Sequence, residues 1–242
     1  MTTTIHYWVS EGSNNLDLEK VSPFSLEMVQ PNLTPWTDSV DKNVIHAQCP
    51  VWNHRNKRNF VVHSAIDFSF KYNRNAPIPK KLELLNLNRD MGDIIILQDG
   101  WDYSEPVFQF RFPMIVFWTN KSNVWIESKP HPYTAARNNF VSIGGWWNLS
   151  KWNRSINFAV QMVDENKPFT IKRGDPLFEV SFYNQSNLKD DIKLVRELEI
   201  PEKIWNEQHR NTNVKRYLKM MNPRHLFTDK PKSKCPFSFL TK

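Results

Sequence analysis

Three tryptophans, Trp146, Trp147 and Trp152, fall close together in the chain and are interleaved with Asn148, Asn153 and Arg154. Indole faces accept sugar rings, nucleobases or cations, while amides and a guanidinium supply directional hydrogen bonds. Together with His131, from the Pro-flanked segment Lys129-Pro130-His131-Pro132-Tyr133, the residues Trp146, Trp147, Trp152, Arg154 and Asn148 form the best binding candidate in the sequence. The plainer reading is that the rings cover the open end of a β-sandwich and belong to its core. Arg154 bears on the choice. By period it falls on the apolar face of a strand, where a buried charge is costly unless a carboxylate of the chain or an anion from outside neutralises it.

Metal chemistry on a β-scaffold offers an alternative. A jelly-roll iron enzyme holds its metal through His-x-Asp/Glu and a distant His. No histidine here is followed two positions later by Asp or Glu. The nearest approach is His63 with Asp67, on the polar face of one strand, with His131 as a third donor. At about 3.3 Å per residue His63 and Asp67 lie roughly 13 Å apart, too far to share one ion without help from the fold. The expectation is no cofactor, with iron as the alternative. Nucleophile elbows and phosphate-cradling glycine loops are missing, and the chain holds only six glycines. Cys49 and Cys235, each followed by proline, are too few for a disulfide framework and lack zinc-site spacing. Cys49 near His46 and His54 is a weak thiol–base pair on sequence proximity alone. Arg173-Gly174-Asp175 reads as a hairpin turn rather than as an adhesion tripeptide.

The formal charge of +7 is unevenly placed. Residues 203–242 hold ten Lys/Arg against Glu207 and Asp229, a local charge of +8, so the remainder is close to neutral. Lys215, Arg216, Lys219 and Arg224 are the polyanion-binding candidates within that stretch, since clustered cations draw polyanions or nucleic acid from a distance. A solvated helix and tail that aid solubility would carry the same charge. Neither a signal-peptide pattern at the start nor an apolar run long enough to span a membrane is present, which leads to the expectation of a cytoplasmic protein without membrane contact.

The elements that must position these groups are mostly strands. Val62 to Tyr72 alternates as one half-buried strand, and Leu82–Leu87 and Asp93–Leu97 are shorter apolar runs. Val107 to Trp118 places Phe108, Phe110, Phe112, Met114, Val116 and Trp118 on one side, with Pro113 implying a bulge or an edge. Val124–Glu127 reads as its hairpin partner across residues 119–123. A strand of about eleven residues starts near Trp152 and buries Ile156, Phe158, Val160 and Met162. A turn at Asp164–Pro168, a short strand at Phe169–Lys172, a turn at Gly174 and a strand burying Phe178, Val180 and Phe182 follow. From Ser186 the period lengthens: Leu188, Ile192, Val195 and Leu198 predict a helix, with a second after Pro201 and a third over Val214–Met221. Residues 1–44, broken by Pro23, Pro31 and Pro35, read as an N-terminal arm with Ile5–Val9 its best strand.

Cys49-Pro50-Val51-Trp52-Asn53, the strand after Phe60, Asn123-Val124-Trp125-Ile126-Glu127, the pair Trp146/Trp147 and Arg173-Gly174-Asp175-Pro176-Leu177-Phe178 occur in an order that resembles an uncharacterised family of phage and bacterial proteins. The resemblance covers about residues 48–183 and rests on turn and aromatic signatures. It implies a phage-type protein, resident in the host cytoplasm or the virion, with no known activity to carry over. The expected architecture is an all-β, two-sheet, jelly-roll-like sandwich over residues 45–185, with a helical, basic C-terminal extension over 186–242. The expected function is a non-enzymatic binding or assembly protein that meets a protein partner or its own copies through the aromatic cluster or the basic end. The alternative is a jelly-roll, non-haem-iron oxygenase-like enzyme with an atypical site.

Overall fold

The computed structural model describes residues 1–9, 33–35, 48–64, 67–76, 82–85, 95–97 and 106–212. Its strands are, in chain order, β1 (Thr2–Val9), β2 (Leu33–Pro35), β3 (Asn59–His63), β4 (Phe68–Tyr72), β5 (Leu82–Leu84), β6 (Ile95–Leu97) and β7 (Val107–Trp118). They continue with β8 (Val124–Pro130), β9 (Phe140–Ser142), β10 (Gly145–Asn148), β11 (Ser155–Met162), β12 (Phe169–Ile171), β13 (Pro176–Asn184) and β14 (Asp191–Arg196). Short helices cover Pro50–Asn56 and Thr134–Asn138, and a longer one covers Glu202–Thr212.

The strands form an all-β sandwich. One layer is a sheet in the order β14-β1-β7-β11-β9, with β6 also on β7; the facing layer is divided between β10-β8-β13-β3-β2 and the smaller β12-β4-β5. The layers meet through phenylalanine. Phe117 packs on Phe182 at 5.1 Å and Phe158 on Phe178 at 5.4 Å, while Phe108 and Phe110 meet Phe70 and Phe169 of the small sheet. Phe68, Phe70, Phe108, Phe117, Phe140, Phe158, Phe169, Phe178 and Phe182 are fully buried, and each such ring removed from water contributes roughly 1.5–3 kcal/mol. The predicted inward sets of β11 and β13 are all in this core.

Several local expectations are corrected. Val62 to Tyr72 is two strands, not one: β3 joins the sheet of β13, and β4 joins β12 and β5. The ladder of β3 hands over at Ser64, whose N–H and C=O bond Asp175 O and Gly174 N in the turn before β13. Strand β8 is not the hairpin partner of β7. It crosses to the facing layer and lies between β10 and β13, while β7 lies between β1 and β11.

The single-sided reading of β7 fails as well. Between Phe110 and Ile115 it spends five steps against two on β11, from Phe158 to Ile156, and Pro113 lies inside that irregularity. The three extra residues, an odd number, reverse the alternation. Phe108 and Phe110 point into the core before the bulge, and Ile115 and Phe117 do so after it, which leaves Trp118 on the outer face, where it stacks on His6 at 5.8 Å.

The helix expected over Leu188–Leu198 is β14, paired in parallel with β1. Ile192 and Leu194 pack on the core, whereas Leu188 and Leu198, the ends of the supposed helical stripe, are 61% and 91% exposed. An open edge beside β1 satisfies six backbone positions at once, which outweighs a weak helical period. Residues 1–9 are likewise no arm: β1 sits between β14 and β7 and buries Ile5 and Val9. Strand β11 starts at Ser155, three residues later than expected. The helix after Pro201 is present as Glu202–Thr212, whereas the third helix, over Val214–Met221, and the tail beyond it lie outside the described residues.

Candidate functional site

The tryptophans that the sequence groups together diverge onto different surfaces. Gly144 and Gly145 lead into β10, the last strand of its sheet. A side chain at Gly144 would place its Cβ 2.1 Å from Ser128 O, so only glycine allows the chain to close onto β8 there. Two residues on, the alternation of β10 sends Trp147 into the core, 7% exposed, and turns Trp146 outward, 53% exposed. Asn148 is buried in a structural role: its Oδ1 accepts the Ser150 N–H, and its carbonyl accepts the Lys151 and Trp152 N–H groups, closing the turn after the strand.

Trp146 is not alone on the outer face. Its ring stacks on Trp125 of β8 with centroids 4.2 Å apart and planes 21° from parallel. Trp125 is buried, and its indole N–H has no acceptor among the described residues. Register places Glu127 across from Trp146 and Tyr183 across from Trp125, and the Tyr183 hydroxyl donates to Glu127 Oε2 at 3.2 Å. Burial pushes the Tyr183 pKa up.

One row further, Lys129 Nζ lies 3.3 Å from Glu179 Oε2 and donates to Asn59 Oδ1 at 3.1 Å, which also accepts the Ser181 hydroxyl. Glu179, Ser181 and Asn59 are almost completely enclosed, although they face away from the phenylalanine core. Burial lowers the Lys129 pKa, with Glu179 opposing that fall. Exposed Arg55, on the helix Pro50–Asn56, is near enough to act on both Lys129 and Tyr183. The outer face of this sheet thus carries a flat indole platform at its edge and a satisfied polar network behind it. Trp125, Glu127, Lys129, Tyr183 and Glu179 were missed as candidates because their shared face depends on the register of β8 between β10 and β13, which no local pattern encodes.

Trp152 and Arg154 belong elsewhere, beside the helix Glu202–Thr212. The Arg154 guanidinium lies over the Trp152 ring at 4.9 Å, and its Nε–H donates to Ser155 O at 3.2 Å. The helix is fastened next to them: Asn153 Nδ2 donates to Glu207 Oε2 at 2.6 Å, Gln208 Nε2 to the Ser155 hydroxyl at 3.3 Å, and Trp205 meets Trp8 edge-on.

The histidines occupy a third place. His131 is 6% exposed, adjoins Tyr133, and lies close enough to His63 and Arg137 for both to act on it; burial first, then these two, lower its pKa to about 4. His63 Nδ1 bonds Gly174 O at 2.9 Å. Asp67 Oδ1 is engaged by the Arg173 N–H, and Asp175 Oδ2 by Asn138 Nδ2 and the Lys172 N–H. Gly174 has φ +87°, so Arg173-Gly174-Asp175 is the turn its sequence indicates. The fold therefore brings His63 near His131, while Asp67 is committed to a backbone amide. Among the described residues no three His, Cys, Asp or Glu side chains converge as a metal site. Cys49 is exposed, Cys235 and the basic candidates Lys215, Arg216, Lys219 and Arg224 lie outside the described residues, and no described helix is long and apolar enough to cross a membrane.

No family model matches the chain, and no curated relative matches it either. Among solved structures it is similar to a mutant dUTPase of Staphylococcus bacteriophage 80alpha with dUpNHpp, at 8% identity and a TM-score of 0.31, over 72% of this chain and 93% of that one. At that distance the likeness says nothing about chemistry.

Proposed function

We propose that the chain is a non-enzymatic, phage-type binding or assembly protein, and that the edge of β10 is where it holds a second copy of itself. The observation that supports this reading is Trp146. Half of a large apolar ring is left in water on an edge strand, yet it is stacked against Trp125. A pre-ordered aromatic ring loses little freedom on association and is the residue type most often dominant in protein interfaces. Among the described residues β10 pairs with β8 alone, and an edge that pairs with its own copy closes a two-fold assembly with identical contacts on both sides. Glu127 and Tyr183 provide a polar border of the kind that surrounds such anchors.

Sedimentation velocity of the full chain tests the proposal. The wild type should sediment as a dimer or larger at tens of micromolar, and Trp146→Glu should shift it to the monomer while still unfolding cooperatively in urea. A wild type that stays monomeric across that range, or a Trp146→Glu variant that assembles normally, would overturn it. The iron-enzyme alternative draws its support from the approach of His63 to His131. About one equivalent of iron in purified protein, lost on His63→Ala or His131→Ala, would displace the non-enzymatic reading in its favour.

A further inference from the structure

In an antiparallel ladder, opposite residues alternate between a pair that exchanges both N–H···O bonds and a pair that exchanges none. The Leu149 N–H donates to Val124 O at 2.8 Å, and the register that sets Asn148 opposite Trp125 puts Leu149 opposite Val124. Leu149 therefore belongs to a bonded pair, as do Trp147 with Ile126 and Gly145 with Ser128, whereas Trp146 with Glu127 and Asn148 with Trp125 do not. The other flank of β8 agrees. The Gln185 N–H donates to Asn123 O, so in the register of β13 the backbone groups of Trp125, Glu127 and Lys129 are spent on β13 rather than on β10.

Trp146 consequently turns its N–H and C=O away from β8, toward the side of the sheet where Gly144, Gly145 and Trp146 are all exposed. Asn148 faces the same way, but its carbonyl already accepts the Lys151 and Trp152 N–H groups, and the strand ends in that turn. Gly144 lies before the strand and off its regular path, with the place of a Cβ filled by Ser128 O. Along β10 the usable edge is thus one residue long. Trp146 offers a donor and an acceptor together, and the same residue carries the exposed indole.

An extended peptide that adds to a sheet relies on several main-chain bonds, and this edge offers two groups on one residue. The same residue of a second, antiparallel copy answers both. We infer that the two-fold axis of the assembly passes through Trp146, each copy giving its Trp146 N–H to the Trp146 carbonyl of the other. This rests on self-association at the β10 edge and adds a register and a limit to it. One reciprocal pair uses up both edges, so association stops at two. The sheet β10-β8-β13-β3-β2 then runs on into its copy, and the two Trp125–Trp146 stacks meet side by side on the outer face.

Amide hydrogen exchange of the full chain read by NMR, with sedimentation velocity on the same samples, tests the inference. As the monomer gives way to the dimer, the Trp146 amide should pass from open exchange to protection of about tenfold or more. A mixture of isotope-labelled and unlabelled chains should show an intermolecular contact between the α-protons of Gly145 and Trp147, residues about 6.6 Å apart along one strand and therefore silent within it. A chain that is monomeric throughout would overturn the self-association and this inference with it. A dimer whose Trp146 amide stays unprotected, a dimer without the Gly145–Trp147 contact, or assembly that continues past two would overturn the inference and leave the self-association standing.

Discussion

Lowering the pH should destabilise the fold through His131 specifically. Its folded pKa is about 4 against an ordinary 6.5, so the unfolded chain takes up the proton first. The stability this group contributes is complete above pH 6.5, drains away as the pH falls toward 4, and does not change further below that. At 1.36 kcal/mol per unit, the full shift corresponds to about 3 kcal/mol, of which about 2 kcal/mol would be lost by pH 5. Tyr133, against the ring, is 53% exposed, so water reaches the margin of this site and screens it, and a loss of about 1 kcal/mol is the working figure. Protonation also removes an acceptor, because Nδ1 receives the Tyr133 N–H at 3.4 Å. Urea unfolding at pH 7.5 and pH 5.0, for wild type and His131→Gln, isolates the effect from the carboxylates that titrate in both proteins. The wild type should lose about 1 kcal/mol more than the variant between the two conditions. Equal losses, or an NMR titration in which the His131 ring protonates near its ordinary pKa, would refute the reasoning.

The same face-by-face logic makes two further predictions. Glu179→Ala should cost about 3 kcal/mol in urea unfolding, because it leaves Lys129 enclosed without its carboxylate, whereas the double change Lys129→Met with Glu179→Leu should recover most of that loss. Gly144→Ala should cost about 1–3 kcal/mol, since its Cβ would meet backbone at Ser128 rather than a yielding side chain; as β10 lifts from β8 the Trp125–Trp146 stack should open, read as a change in near-ultraviolet circular dichroism.

How much of this was legible depended on how local each feature is. The inward sets of β11 and β13 and the turn at Gly174 follow from alternation and from glycine's access to positive φ, both of which act over a few residues. The β7 bulge was half legible: Pro113 marked the place, but the reversal of faces that puts Phe117 inside and Trp118 outside depends on how many residues β11 spends opposite. Strand β14 was misread because the spacing of Leu188, Ile192, Val195 and Leu198 fits a helix, while the edge of β1 that claims residues 191–196 lies nearly the whole chain away. The tryptophan cluster failed for a related reason. Neighbours in sequence at a strand end leave on opposite faces, so Trp146 found Trp125, Trp147 found the core, and Trp152 found Arg154.

The position of β1 also sets an order of events. This strand is made well before its two neighbours: β7 and β14 begin about a hundred and about two hundred residues later, and the hydrogen bond from Thr3 to Asp190 spans 187 positions. A growing chain therefore carries a hydrophobic strand with no neighbour until β7 has been made, and with one side open until β14 follows. Such distant closures are slow and expose unpaired edges meanwhile. Until both ladders have closed, one flank of β1 stays open as an apolar strand edge, the kind of surface on which aggregation starts.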